Sequence, residues 1–217
     1  MVGNLVPYLI MLAATGFALL RDAPYATPLF IVVMAAWYTV RMVLTQGASL
    51  EVKEERDAKR ERPLAGVVGV GMIFLPLLTL ATPLLDFAAY TAVPGQLAIG
   101  AVVAVIGVYL FWRSHADLGP MWSAHLEVRE GHRLITHGIY SRIRHPMYSA
   151  IFLITLGQTL ILTNWIAGPI GLVAFTALYL IRIGPEERMM ADQFGAAWAN
   201  YAAKTPRLVP RWATGAR

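Results

Sequence analysis

His132-Arg-Leu-Ile-Thr-His-Gly-Ile-Tyr-Ser-Arg-Ile-Arg-His-Pro-Met-Tyr148 is the polar stretch on which the reading of this chain turns. The sequence before it is largely apolar, and the chain turns apolar again directly after it. The next polar cluster, Arg182 to Arg188, carries the adjacent acids Glu186 and Glu187. An apolar hairpin joining the two clusters would return the second to the level of the first. Both are therefore expected to meet at one membrane surface and to hold a small charged cofactor.

Composition sets the class. The 217 residues are 57% hydrophobic and only 14% charged, against about 25% charged in ordinary soluble domains. Six apolar segments stand out, at Leu5–Leu20, Pro28–Leu44, Leu64–Leu85, Leu97–Trp112, Met147–Leu162 and Trp165–Ile181. A membrane helix needs about 17–25 residues, so flanking residues or local thinning must help the shorter ones. The expected fold is all-α: a polytopic membrane bundle whose last two segments, divided by Thr163 and Asn164, form a tight hairpin. It reads as one membrane domain, with 1–63 an N-terminal two-helix extension and charged loop and 64–217 the core. The start of the chain lacks the basic region of a cleaved signal, so the first segment is expected to be retained. There is no cysteine, which excludes disulfides and thiolate chemistry.

Charge gives an orientation. Of the 18 Lys and Arg residues, Arg21 alone falls on the far side when the six segments cross in turn. Basic loops mark the cytoplasmic face. An integral protein of a bacterial inner membrane or its equivalent follows, with both termini and the polar clusters cytoplasmic. The same rule accounts for the net charge of +5 without a nucleic acid partner.

Three stretches invite secondary readings. Glu51–Arg62 alternates acids and bases, and pairs such as Glu55 and Lys59 suit a solvated helical turn or two. Gly66, Gly69 and Gly71 have the wrong order for a nucleotide loop and suit close helix packing, with a kink at Pro76. Residues 186–201 repeat Met190, Phe194, Ala197 and Tyr201 at helical spacing. They read as a separate amphipathic helix along the interface, with Pro185 in its first turn and Glu186 and Glu187 against its dipole.

The five histidines, at 115, 125, 132, 137 and 145, contain no i,i+4 pair, so no metal is expected. Arg144-His145-Pro146-Met147-Tyr148 says more. Pro146 suits the first position of a helix whose leading amides lack intrahelical partners, and Arg144 adds a fixed positive charge there. Facing the acids Glu186 and Glu187, such a terminus can hold a zwitterion by both ends.

His-x-Leu-x-Thr-x-Gly-x-Tyr at His132–Tyr140, Arg-His-Pro-x-Tyr at Arg144–Tyr148, an apolar hairpin, Glu186-Glu187, Phe194-Gly195 and Tyr201 together resemble the isoprenylcysteine carboxyl methyltransferase family. Phospholipid N-methyltransferases share the second motif and the paired acids. The resemblance covers about residues 95–210 and leaves out the first two apolar segments. It implies S-adenosylmethionine as cofactor, with His132, Leu134, Thr136, Gly138, Ile139, Tyr140, Arg144, His145, Pro146, Tyr148, Glu186 and Glu187 at its pocket. Ile139 stands where many members carry proline. Arg144, Arg182 and Glu186 are the expected catalytic residues, with Arg182 orienting an anionic acceptor.

The implied acceptor is lipid-like and enters from the bilayer. A carboxylate acceptor is already nucleophilic, whereas an ammonium must first lose a proton to a base such as His145 or a glutamate. An isoprenylcysteine carboxylate is the first expectation and a phosphatidylethanolamine-type amine the second. A sterol-type reductase remains open as another class. A transporter or adaptor fits less well, since ionisable residues are nearly missing at mid-membrane depth.

Overall fold

The computed structural model describes residues 5–20, 27–45, 52–55, 63, 66–119, 127–129 and 133–211. Each apolar segment contains a helix. In chain order these are α1 (Val6–Leu20), α2 (Thr27–Thr45), α3 (Gly66–Ala81), α4 (Gln96–Leu118), α5 (Pro146–Ile161) and α6 (Ile170–Phe194), followed by the short α7 (Ala196–Lys204). Among the described residues, α4 is the one helix long and apolar enough to cross a membrane, while Val6–Leu20, Pro28–Leu44, Gly66–Ala81 and Pro146–Ile161 are apolar but shorter. The outside of the bundle exposes Leu9, Leu20, Val32, Val102, Val105 and Leu180. Apolar exposure on that scale is a surface for lipid or a partner rather than for water.

The bundle is built on α4 against α5. A Cβ on Gly107 would lie 2.8 Å from the Ile154 amide nitrogen, and one on Gly157 would lie 2.7 Å from the Ala104 Cβ. The two backbones can approach only because these positions are small, the packing mode expected where lipid removes the usual hydrophobic drive. Ala104, Ala150, Ile154 and Ile161 fill the seam. Trp37 of α2 packs on Phe111 of α4 with ring centroids 5.9 Å apart, and Tyr8 of α1 meets Tyr38 of α2 edge-on at 5.3 Å.

Within α3 the glycines divide. Gly71 lies against α6, where a Cβ would meet the Ile170 carbonyl oxygen at 3.0 Å, but Gly66 and Gly69 have nothing within 4 Å. Close packing thus holds for one of the three. The helix takes a π turn over Val70–Phe74 directly before Pro76. That widening relieves the clash of a proline ring with the preceding turn.

The α5–α6 hairpin turns through residues 162–169. Asn164 organises it: its Oδ1 accepts from the amides of Ile166 and Ala167, and its Nδ2 donates to the Leu85 carbonyl at 2.7 Å. Residues 165–169 form this turn, so the sixth helix starts at Ile170 rather than Trp165.

Two expectations are corrected. Val52–Glu55 pairs antiparallel with Glu127–Arg129, where a helical turn or two was expected within Glu51–Arg62 from the Glu–Lys spacing; the rest of that stretch, Lys59 included, lies outside the described residues. Such i,i+4 pairs contribute only about 0.2–0.5 kcal/mol, too little to outweigh a partner strand for the backbone. Also, no helix begins at Pro185. It lies inside α6, which runs on to Phe194, and Glu186 and Glu187 are therefore mid-helix rather than at a positive dipole end. The missing amide costs about 3 kcal/mol, offset by burial of Leu178 and Ile183 before it and Met189 after it. What stops the helix is Gly195 at φ 51°, ψ −123°, a backbone conformation open to glycine. The separate helix is only the stretch after it, α7.

Candidate active site

Pro146 starts α5 with His145 as its N-cap, so Arg144, His145 and Tyr148 sit around the first turn of that helix. Because α6 runs antiparallel to α5, the half of α6 beyond Ile181 returns to this level and brings Arg182, Glu186 and Glu187 with it. The two polar clusters meet, as the hairpin reading requires. Tyr148 Oη donates to Glu186 Oε2 at 2.5 Å. His145 lies between both acids, Nδ1 at 3.4 Å from Glu186 Oε1 and Nε2 at 3.2 Å from Glu187 Oε1. Arg144 reaches Glu187 Oε1 at 2.8 Å. Arg182 Nε is 3.5 Å from Glu186 Oε2.

The third wall comes from the chain after α7. Arg144 Nη1 donates to the carbonyls of Ala202 at 2.5 Å and Thr205 at 2.8 Å, and its guanidinium lies 5.8 Å from the Trp198 ring centre. The amides of Arg144 and His145 donate to the carbonyls of Pro206 and Arg207, and Ser149 Oγ donates to Leu208 O at 2.6 Å. Residues 205–208 therefore form a strap over the start of α5. From that strap Arg207 grips Glu187 with both ends of its fork, Nε at 3.0 Å from Oε1 and Nη2 at 2.6 Å from Oε2.

A floor is supplied by the 138–141 turn. Gly138 has φ 59°, and a side chain there would run into the Asp117 carboxylate. Asp117, on the last turn of α4, accepts from the Ile139 amide at 2.7 Å and pairs with Arg113 at 2.7 Å. Tyr140 is buried, and its carbonyl accepts from Tyr201 Oη at 2.6 Å. Burial, with Glu186 nearby, holds its phenol far above the usual range.

Electrostatics fix the protonation states. Burial alone would raise the carboxyl of Glu186, but His145, Arg182 and the Tyr148 hydroxyl outweigh it and hold it down at about 2. Glu187 is likewise held well below the usual carboxylate range, by His145, Arg207 and Arg144 against its burial. Burial pulls the imidazole of His145 down, yet its bonds to Glu186 and Glu187 win and raise it. Both ring nitrogens face carboxylates, so both donate, as only the imidazolium can. Four cationic groups thus surround two carboxylates.

Of the residues expected at the pocket, Arg144, His145, Tyr148, Glu186 and Glu187 are directly bonded to one another, and Arg182 joins through Glu186. Pro146, Gly138, Ile139 and Tyr140 shape the backbone around them. Leu134 is half-buried and Thr136 exposed, in the irregular stretch leading to the turn. The bonds that knit the cluster come from other residues. His132 lies outside the described residues. Sequence reading did not find Asp117, Trp198, Thr205 or Arg207, none of which carries a local signal of its role.

Residues 98–192 match the "Isoprenylcysteine carboxyl methyltransferase (ICMT) family". The motifs from Gly138 to Glu187 lie within that match. The protein-S-isoprenylcysteine O-methyltransferase B of Arabidopsis thaliana is 29% identical over 117 residues, 51% of this chain and 57% of that protein. A bacterial relative, the cobalt-zinc-cadmium resistance protein CzcN of Cupriavidus metallidurans, is 33% identical over 99 residues, 45% of each chain. The chain spans little more than half the length of the curated methyltransferase relatives it matches first. The solved structure of a eukaryotic intramembrane Ras methyltransferase of the isoprenylcysteine type superposes with a TM-score of 0.61. That likeness, at 21% identity, covers 95% of this chain and 74% of the other, and places the chain in the same membrane fold. The matched segment takes in α4 to Asp192 and stops short of the strap.

Proposed function

We propose that the protein is an integral membrane methyltransferase that moves a methyl group from S-adenosylmethionine to the carboxylate of a lipophilic, isoprenylcysteine-like acceptor. The observation that carries this reading is the protonation pattern of the site. It is built to grip charged groups, with two ionised carboxylates and an imidazole enclosed between them. Glu186 and Glu187 are held too acidic to take a proton near neutral pH, and both ring nitrogens of His145 are engaged by these acids. General-base catalysis works best with a pKa near the working pH, so an acceptor that is already ionised suits this site better than an ammonium. The excess of cations over carboxylates favours the same anionic acceptor.

The donor set fits the proposed cofactor. Its amino-acid end is a zwitterion, which two carboxylates among guanidinium groups can take by both ends. When bound, S-adenosylmethionine supplies an electrophilic methyl group on a sulfonium. In this reading Glu186 and Glu187 hold the ammonium and the 138–141 turn carries the backbone of the pocket. Tyr148 orients Glu186, and Arg182 turns the acceptor's carboxylate toward the reacting centre. Six helices cross the bilayer, with both termini and the site on the cytoplasmic face, and the acceptor's tail enters from the lipid. Residues 64–217 form the catalytic core and 1–63 an extension that braces α3 and α4.

The test is label transfer from radiolabelled S-adenosylmethionine to a prenylcysteine and, separately, to phosphatidylethanolamine vesicles. Label should appear in the prenylcysteine, with no rise in rate from about pH 6 to 9, since the carboxylate is ionised throughout. Label in the phospholipid alone, at a rate rising with pH, would replace this reading with the amine methyltransferase.

A further inference from the structure

Arg144 looks from sequence like the guanidinium that meets an anionic ligand, but its donors face inward. It is bonded to Ala202 O, Thr205 O and Glu187, its Nε is buried, and its side chain is only 11% exposed. His145 is enclosed between two acids at 6% exposure, and Arg182 is paired with Glu186 at 18%. The guanidinium of Arg207 is different. Its side chain is 54% exposed while the Glu187 carboxylate it grips is 16% exposed, so it closes the network from the open side.

We propose that Arg207 is the group that receives a ligand's carboxylate at this site, exchanging its fork on Glu187 for one on the ligand. The inference rests on the methyltransferase reading for the identity of the ligand. The strap's backbone stays in place during the exchange, because the carbonyls of Pro206 and Arg207 are bonded to the amides of Arg144 and His145. Only the side chain swings. An exposed ion pair is weakly held in water, and one carboxylate is traded for another of the same chemistry, so the exchange is close to balanced.

The swing opens both halves of a zwitterion site together. Glu187 loses the Arg207 fork and can accept an ammonium, while the released guanidinium meets the carboxylate. A ligand with both charges leaves neither partner stranded. One lacking its carboxylate leaves Arg207 without a replacement for Glu187. The device therefore selects zwitterions over simple amines without any contact to the rest of the ligand. Arg207 lies on the strap, beyond the 98–192 segment that the family model matches.

The carboxylate has two sources, the cofactor's amino-acid end and the acceptor. Calorimetry on the full-length protein in detergent separates them, using two pairs that differ only in that group. These are S-adenosylmethionine against its decarboxylated form, and S-farnesylcysteine against S-farnesylcysteamine. Arg207→Gln should weaken the carboxylate-bearing member of one pair by about ten- to a hundredfold, leaving its partner within about threefold of wild type. Arg207→Lys, which keeps the charge and loses the fork, should fall between. Loss in the first pair assigns the cofactor's carboxylate, and loss in the second assigns the acceptor's. Equal losses within both pairs, or no loss in either, would overturn the proposal. A wild-type protein that binds neither adenosyl compound would sink the methyltransferase reading, while the farnesyl pair would still decide the role of Arg207.

Discussion

The two ends of α5 both carry polar side chains into a largely apolar bundle, and they use them in opposite ways. At the C-terminal end Gln158 is 2% exposed, donating to the carbonyls of Gly71 and Ala167 at 3.1 Å each. Asn164, 1% exposed, closes the hairpin on Leu85. These groups are neutral, they fasten α5 and the hairpin turn to α3 and the segment that follows it, and nothing of them faces outward. At the N-terminal end the groups are charged, cations outnumber carboxylates, and one guanidinium stands half in the open. A buried, neutral polar cluster whose donors all go to backbone carbonyls is a fastener. One that carries excess charge to an exposed edge has capacity left for a ligand.

The sharpest way to break this contrast is at Glu187. It accepts from Arg144, His145 and Arg207 at once, so Glu187→Ala strands buried cations, a change that typically costs about 3–5 kcal/mol. Detergent unfolding should show that loss, and S-adenosylmethionine binding should vanish with it. At the opposite end, Gln158→Leu removes bonds to two buried carbonyls and should cost about 1–3 kcal/mol. Its cofactor affinity should stay at the wild-type value, and any drop in that affinity would mean the two ends are not separate devices.

Acid and base sharpen the comparison further, because only the charged end titrates. Glu186 has its carboxyl lowered from 4.5 to about 2, so its stabilising contribution is complete above pH 4.5 and is lost as pH falls toward 2. His145 is raised from 6.5, so its contribution is complete below pH 6.5 and is lost as pH rises through the raised value. Stability from this end should peak between those limits. Melting temperature measured against pH should follow that dome, and His145→Gln should flatten its alkaline side. Gln158→Leu should lower the whole curve without changing its shape. The smallest effect is expected at Tyr201→Phe, which deletes one hydroxyl bond to the Tyr140 carbonyl and should cost about 0.5–1.5 kcal/mol by the same melt.

What the sequence made legible were features fixed by neighbours along the chain. Pro146 announces a helix start because its ring suits the first helical position, and Gly138 announces a turn because glycine readily takes the positive φ found there. The meeting of Arg144 with Glu187 also follows from local length, since an antiparallel hairpin must bring its far end home. Pro185 misled because a proline's local penalty was set against packing that sequence does not display, and Gly195 proved the true breaker. The strand pair between Val52–Glu55 and Glu127–Arg129 and the strap carrying Arg207 were out of reach. Each depends on segments distant in sequence, and neither has a periodicity or motif to mark it.

The strap also sets an order of events during synthesis. Arg144 and the carbonyl of Ala202 that it holds are 58 residues apart, with the whole α5–α6 hairpin between them. While that hairpin forms, the guanidinium has Glu187 to bond but neither of the strap carbonyls. The pocket can close only after residues 202–208 have left the ribosome and folded back. Until then the nascent chain has its apolar helices but lacks the third wall of the candidate site.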